Sequence, residues 1–77
     1  MSLRTVLAAN LRMLRSEKEL SQEELADLSE LTRNYIGALE REEYAASVDT
    51  LEKVAKALGV SASRLLEKKV TRSSPKR

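Results

Sequence analysis

Residues 20–41 read LSQEELADLSELTRNYIGALER, and the two helix starts within this stretch follow opposite rules. At the first, Ser21 is placed to cap, Glu23 and Glu24 occupy the first turn, and Ser21 with Glu24 fits the S-x-x-E capping box. At the second, Thr32 is placed to cap, yet Arg33, Asn34 and Tyr35 follow it. A cation in a first turn forgoes roughly 0.3–1 kcal/mol that an acid would contribute against the helix dipole. Between the two predicted helices lie Glu30, Leu31 and Thr32, the linker length of a helix-turn-helix. The apolar positions agree with that reading. Ala26 is small where two helices would cross closely, Leu31 is placed to plug the turn, and Ile36 with Leu39 faces back to a core. A second helix held this way stands out from the body with its N-terminal end forward, the geometry that enters a DNA major groove.

That geometry gives the misplaced arginine a purpose. The Arg33 guanidinium is a two-pronged donor that matches guanine O6/N7 or a phosphate. Asn34, Gly37, Ala38 and Arg41 fall on one face of the predicted helix, so small residues alternate with polar ones. Asn34 suits adenine, Ala38 a thymine methyl, and Tyr35 a phosphate or sugar. Gly37 costs roughly 1 kcal/mol relative to alanine in a helix interior, which a close approach to base edges would explain. Gln22, opening the preceding helix, is placed to donate to a phosphate beside the helix-terminal amides. Each assignment has a plainer competitor. Arg33 and Gln22 also read as solvated surface residues and Tyr35 as a packing residue, while Arg41 has Glu40, Glu42 and Glu43 within reach as partners.

Working outward, apolar spacing and caps place five helices. The first spans about residues 3–18, with Leu3, Leu7, Leu11 and Leu14 on one stripe; the second and third are the pair above. The fourth follows Ser47 and shows Leu51, Val54, Ala55 and Leu58 in i, i+3, i+4, i+7 order, stopped by Gly59. The fifth, after Ser61, is short and holds Leu65 and Leu66. Clear period-two alternation is lacking, so the expected fold is all-α, a compact five-helix bundle containing a helix-turn-helix.

Composition limits what such a bundle does. The 77 residues suffice for one small domain, expected over residues 1–67, and contain no Cys and no His, which excludes disulfides and thiolate or imidazole metal sites. Residues 68–77, KKVTRSSPKR, carry five Lys/Arg and no acid, so the net +2 of the chain becomes −3 over residues 1–67. The tail is expected to be disordered. Any case for nucleic acid therefore rests on where charges stand and not on their sum. The N-terminal MSLRTVLAANLRML is too polar for a signal peptide, and no apolar run is long enough to span a membrane, so a bacterial cytoplasmic setting is expected. No pair of acids stands at a plausible catalytic site. Catalysis, a cofactor and a small-molecule ligand are not expected.

At this point LSQEELADLSELTRNYIGALERE, followed by DTLEKVAKALGVSASRLL, resembles the Cro/repressor-type (Xre-like) helix-turn-helix family over about residues 3–67. Within that family it is most similar to the controller proteins of restriction-modification systems, which carry an R-x-Y-I-x-x-x-E-R recognition helix, here Arg33 to Arg41. The resemblance implies a lambda-repressor-like fold and a dimer on a two-fold operator. It implies base and backbone recognition by Arg33, Asn34 and Tyr35, a phosphate contact by Gln22, and structural or backbone roles for Glu40 and Arg41. Two departures stand out. Glu30 occupies a turn position commonly held by Gly, which forces a non-glycine residue toward the left-handed region. The loop after the recognition helix reads EEYAAS, whose Glu42 and Glu43 would repel phosphates, with Tyr44 a replacement contact.

The reading is a homodimeric, sequence-specific regulator of double-stranded DNA, with Gln22, Thr32, Arg33, Asn34, Tyr35, Gly37, Ala38 and Arg41 at the interface. Two-fold pairing on half-sites about 34 Å apart would double the contacts of one motif. Leu58, Val60, Leu65 and Leu66 are the expected dimer contact, being more apolar than a small core requires. Rival readings are an antitoxin whose partner is a toxin protein, and a protein-interaction bundle that does not touch DNA.

Overall fold

The computed structural model describes residues 2–68, and the expected tail from residue 69 onward lies outside them. Five helices follow in order: α1 (Leu3–Glu17), α2 (Gln22–Ser29), α3 (Arg33–Glu40), α4 (Val48–Leu58) and α5 (Ala62–Leu65). Each begins after a hydroxyl residue whose side chain accepts a first-turn amide hydrogen bond: Ser2, Ser21, Thr32, Ser47 and Ser61. Such caps satisfy donors that a helix start otherwise leaves unpaired. At α2 the capping box is complete, Ser21 Oγ accepting from the Glu24 N–H at 3.0 Å and the Glu24 carboxylate from the Ser21 N–H at 2.8 Å.

The core is built from one stripe of each helix. Leu7, Leu11 and Leu14 of α1 meet Leu25 and Ala26 of α2, Ile36 and Leu39 of α3, Val54, Ala55 and Leu58 of α4, and Leu65 of α5. α2 packs on α3 and α4, α1 on α3 and α5, and α4 on α5. Leu31 is half-buried against this cluster from the turn, as its spacing predicts. The α1 stripe ends sooner than the pattern suggests: Leu3, in the first turn, is 64% exposed. Leu58 and Leu65, expected at a dimer contact, are spent on the core of the single chain at 1% and 0% exposure, because α5 folds back against both α4 and α1. Val60 and Leu66 remain half-buried.

A four-residue helix cannot satisfy its own carbonyls. The buried Asn10 of α1 does so for α5, its Nδ2 donating to the carbonyls of Leu65 at 2.7 Å and Glu67 at 3.0 Å. Gly59 closes α4 with φ 72°, a left-handed C-terminal position that glycine adopts without penalty. Glu30 closes α2 in the same region at φ 62°, ψ 35°, with its N–H returning to α2 carbonyls. Glu19 and Glu42 also have positive φ. A side chain in that region costs on the order of 1 kcal/mol. Glu30→Gly is therefore expected to raise stability in urea unfolding by up to about 1 kcal/mol, part of the strain relief being offset by the freer unfolded chain.

Candidate nucleic-acid interface

The position of α3 is set at its C-terminal end. Glu40, the last residue of that helix, is 4% exposed, and its carboxylate accepts three hydrogen bonds. Arg15 of α1 donates from Nε to Oε2 at 2.7 Å and from Nη2 to Oε1 at 3.0 Å, while Gln22 Nε2 of α2 reaches Oε1 at 3.0 Å. Arg15 Nη1 also donates to the Leu20 carbonyl at 2.9 Å, and Arg12 Nη1 donates to the Glu40 carbonyl. A buried carboxylate is tolerated only when its lone pairs are met and an opposite charge is near, and both conditions hold here. Its hydrogen bonds hold the Arg15 guanidinium above its ordinary pKa. The cluster ties α1, α2 and α3 together below the recognition helix.

At the opposite end the helix is free. Arg33 and Asn34 are exposed, and neither side chain hydrogen-bonds to any other described residue. No acid stands in the first turn of α3, so the cation that the sequence places there is unneutralised. Thr32 is exposed and its Oγ1 is committed to the Tyr35 N–H at 3.1 Å. Tyr35 is half-buried with its ring 6.0 Å from that of the exposed Tyr44, tilted by 33°. Tyr44 thus joins the same surface from the loop after α3.

The remaining expected contacts are placed differently. Gly37 and Ala38 are buried in the free chain. A Cβ on Gly37 would stand 2.9 Å from Arg41 Nη1 and 3.6 Å from Gln22 Oε1, so side chains of the protein itself make the close approach that was expected of base edges. Gln22 lies over Gly37 and is half-buried, but an amide carries two hydrogens, which leaves one Nε2 hydrogen beyond the bond to Glu40. Arg41 is exposed and pairs with Glu43, Nε to Oε2 at 2.8 Å and Nη2 to Oε1 at 3.2 Å. Glu42 is drawn the other way, its Oε1 accepting from the Thr5 hydroxyl at 2.8 Å. Both loop acids are therefore engaged within the chain.

Arg12, Arg15 and Asn10 were not among the functional residues singled out from sequence, whereas Glu43 was named there as a partner within reach of Arg41. Arg15 and Glu40 are 25 positions apart, beyond any helical or capping pattern, and nothing local marks them as partners. Among the described residues no group of His, Cys, Asp or Glu is arranged to hold a metal ion, and no helix is long and apolar enough to cross a membrane.

Two helices joined by a tight turn, the second projecting an unpaired arginine and asparagine from a fixed base, define a helix-turn-helix protein. Residues 11–65 match the helix-turn-helix family HTH_3, and the chain belongs to it. It is similar to a hypothetical transcription factor of Neisseria meningitidis, 48% identical over 64 residues, covering 83% of this chain and 60% of the relative's length. It is also similar to the control protein C.SmaI of Serratia marcescens, 46% identical over 66 residues, covering 86% of this chain and 79% of that protein. The crystal structure of the restriction-modification controller protein C.AhdI from Aeromonas hydrophila superposes with a TM-score of 0.78 at 40% identity, covering 80% of this chain and 94% of that one. The all-α bundle expected from sequence is the fold shared with C.AhdI.

Two stability measurements check the account of the base. Glu40→Ala strands Arg15, and because Arg15 keeps 22% exposure the loss is expected near 3 kcal/mol, the lower end of the range for broken buried pairs. Gly37→Ala should instead stabilise by up to about 1 kcal/mol in the same denaturation assay, since helix propensity improves and only the mobile end of Arg41 must shift.

Proposed function

We propose that this protein is a sequence-specific DNA-binding transcription regulator that acts as a homodimer on a two-fold operator, of the restriction-modification controller type. The observation that carries the reading is the exposed, unpaired Arg33–Asn34 pair at the projecting end of α3, on a helix whose other end is anchored by buried Glu40. Arg33 is suited to guanine O6/N7, Asn34 to adenine, and Tyr35 with Tyr44 to phosphate or sugar. Gln22 and the α2 N-terminus supply a phosphate contact, and Thr32 holds the first turn in shape for it. Gly37 and Ala38 keep the helix low against α2 and contribute their backbone and a methyl surface. Arg41 supplies a phosphate contact at the far end. The similarity to C.SmaI and C.AhdI supports the controller assignment.

Dimerisation follows from the need for more contacts than one small motif makes. Since Leu58 and Leu65 are used by the core, Val60 and Leu66 are the two of the four expected contact residues left for the partner copy. The proposal includes no catalysis and no cofactor.

The test is selection of bound sequences from a randomised duplex pool at about 150 mM salt, where non-specific binding is weak. A two-fold motif with half-site centres about 34 Å apart is expected. On the selected site Arg33→Ala should weaken binding by about 1–3 kcal/mol and relax specificity at one position of each half-site. A folded protein that enriches no motif, or an Arg33→Ala variant that binds as well as the parent, overturns the reading.

A further inference from the structure

Between α3 and the loop that follows it lies an open cleft of about 330 Å³, walled by Thr32, Asn34, Tyr35, Arg41, Glu43 and Tyr44. It opens on the same surface as the recognition helix and its lining is polar and aromatic, with Arg41 as the cation among these residues. The Nε/Nη2 fork of that cation is already filled, and its Nη1 lies against Gly37. Two parallel N–H···O bonds at 2.8 and 3.2 Å run from Arg41 to the Glu43 carboxylate, the two-pronged arrangement by which arginine also takes a phosphate. Backbone geometry brings the two together: the Glu43 N–H donates to the Ala38 carbonyl at 2.9 Å and the Arg41 N–H to that of Gly37 at 3.0 Å. Those bonds wrap the turn back over the end of α3. Both side chains are more than half exposed, 59% and 53%, so they can exchange partners without unfolding anything. The bond from Arg41 holds the Glu43 carboxyl below the ordinary carboxylate range, so the pair is ionised at neutral pH.

We propose that this cleft is a seat for one DNA backbone phosphate, that Arg41 is its ligand, and that Glu43 is an internal carboxylate which occupies Arg41 in the free chain and must be displaced when DNA binds. The inference rests on the DNA-binding reading above and adds to it a residue that opposes binding. Exposed ion pairs contribute little to fold stability, so the consequence of Glu43 lies in binding. A complex held by phosphates alone has nothing else with which to offset the exchange. A complex that also engages Arg33 and Asn34 does. The device therefore weakens both complexes alike, and the one that also engages Arg33 and Asn34 is the one that stays bound.

Glu43→Gln, Arg41→Gln and the double variant are to be compared with the parent, each titrated against the selected site and against a random duplex of the same length from about 50 to 200 mM salt. Removing the competing carboxylate restores full counterion release at one phosphate per chain. Glu43→Gln should bind both duplexes more tightly at low salt, with a log K against log salt slope steeper by up to about 0.9 per chain. Over that salt range this corresponds to an additional loss of about 3.5-fold for one chain and about 12-fold for two. In the Arg41→Gln background the same change should have little effect. The melting temperature of Glu43→Gln should match the parent, which separates binding from folding. If Glu43→Gln binds as the parent does, or tightens binding equally with Arg41 already replaced, displacement of the ion pair is wrong while the DNA-binding reading stands. If no form binds either duplex at about 50 mM salt, that reading fails and takes the phosphate seat with it.

Discussion

One buried carboxylate decides how the recognition helix stands. Glu40 meets Arg15 from α1 and Gln22 from α2 at the point where the three helices converge, and Arg12 takes the carbonyl of the same residue. Apolar packing alone, being non-directional, would allow α3 to rotate or slide by a fraction of a turn at small cost. The three donors on Glu40 restrict both motions, because each bond needs its own distance and angle. Replacing a buried ion pair with apolar residues often leaves stability unchanged, so such a pair is better regarded as a constraint on geometry than as a source of stability. Here the constraint places the exposed end of α3 relative to the rest of the molecule.

The same economy governs the surface. An arginine in a helix first turn and three glutamates in left-handed turns are each locally unfavourable choices. That arginine, Arg33, lies at the projecting end of the helix, where interaction with an anionic ligand would compensate it. Two of the strained glutamates, Glu30 and Glu42, bracket that helix in sequence, and they terminate the turns that enter and leave it. Local frustration collected around one element, in a bundle otherwise well capped and well packed, is the pattern expected where function overrides fold stability.

The acids of the loop after α3 show why net charge is a poor guide to binding. Residues 1–67 carry −3, and Glu42 and Glu43 adjoin the recognition helix in sequence. In the folded chain Glu42 is bonded to the Thr5 hydroxyl on α1, and Glu43 to Arg41. The Arg33 end of the helix is left without an anion bonded to it, so the field at that end differs from the one that composition suggests.

The elements, their caps and the core stripe were legible in the sequence because each depends on residues within one or two helical turns of each other: the Ser21–Glu24 box, the Thr32 cap, the i, i+3, i+4, i+7 row of α4 and the left-handed stops at Glu30 and Gly59 all stand where local chemistry puts them. The helix-turn-helix was legible for the same reason, its linker being only three residues long. What sequence could not supply were pairings across long separations. Arg15 with Glu40, Asn10 with the end of α5, Thr5 with Glu42 and the burial of Leu58 and Leu65 all depend on how helices distant in the chain fold onto one another. Gly37 illustrates the division. Its identity marked a close approach, but whether DNA or the chain's own Gln22 and Arg41 made that approach depended on the angle between α2 and α3, which is set by tertiary packing and the buried carboxylate.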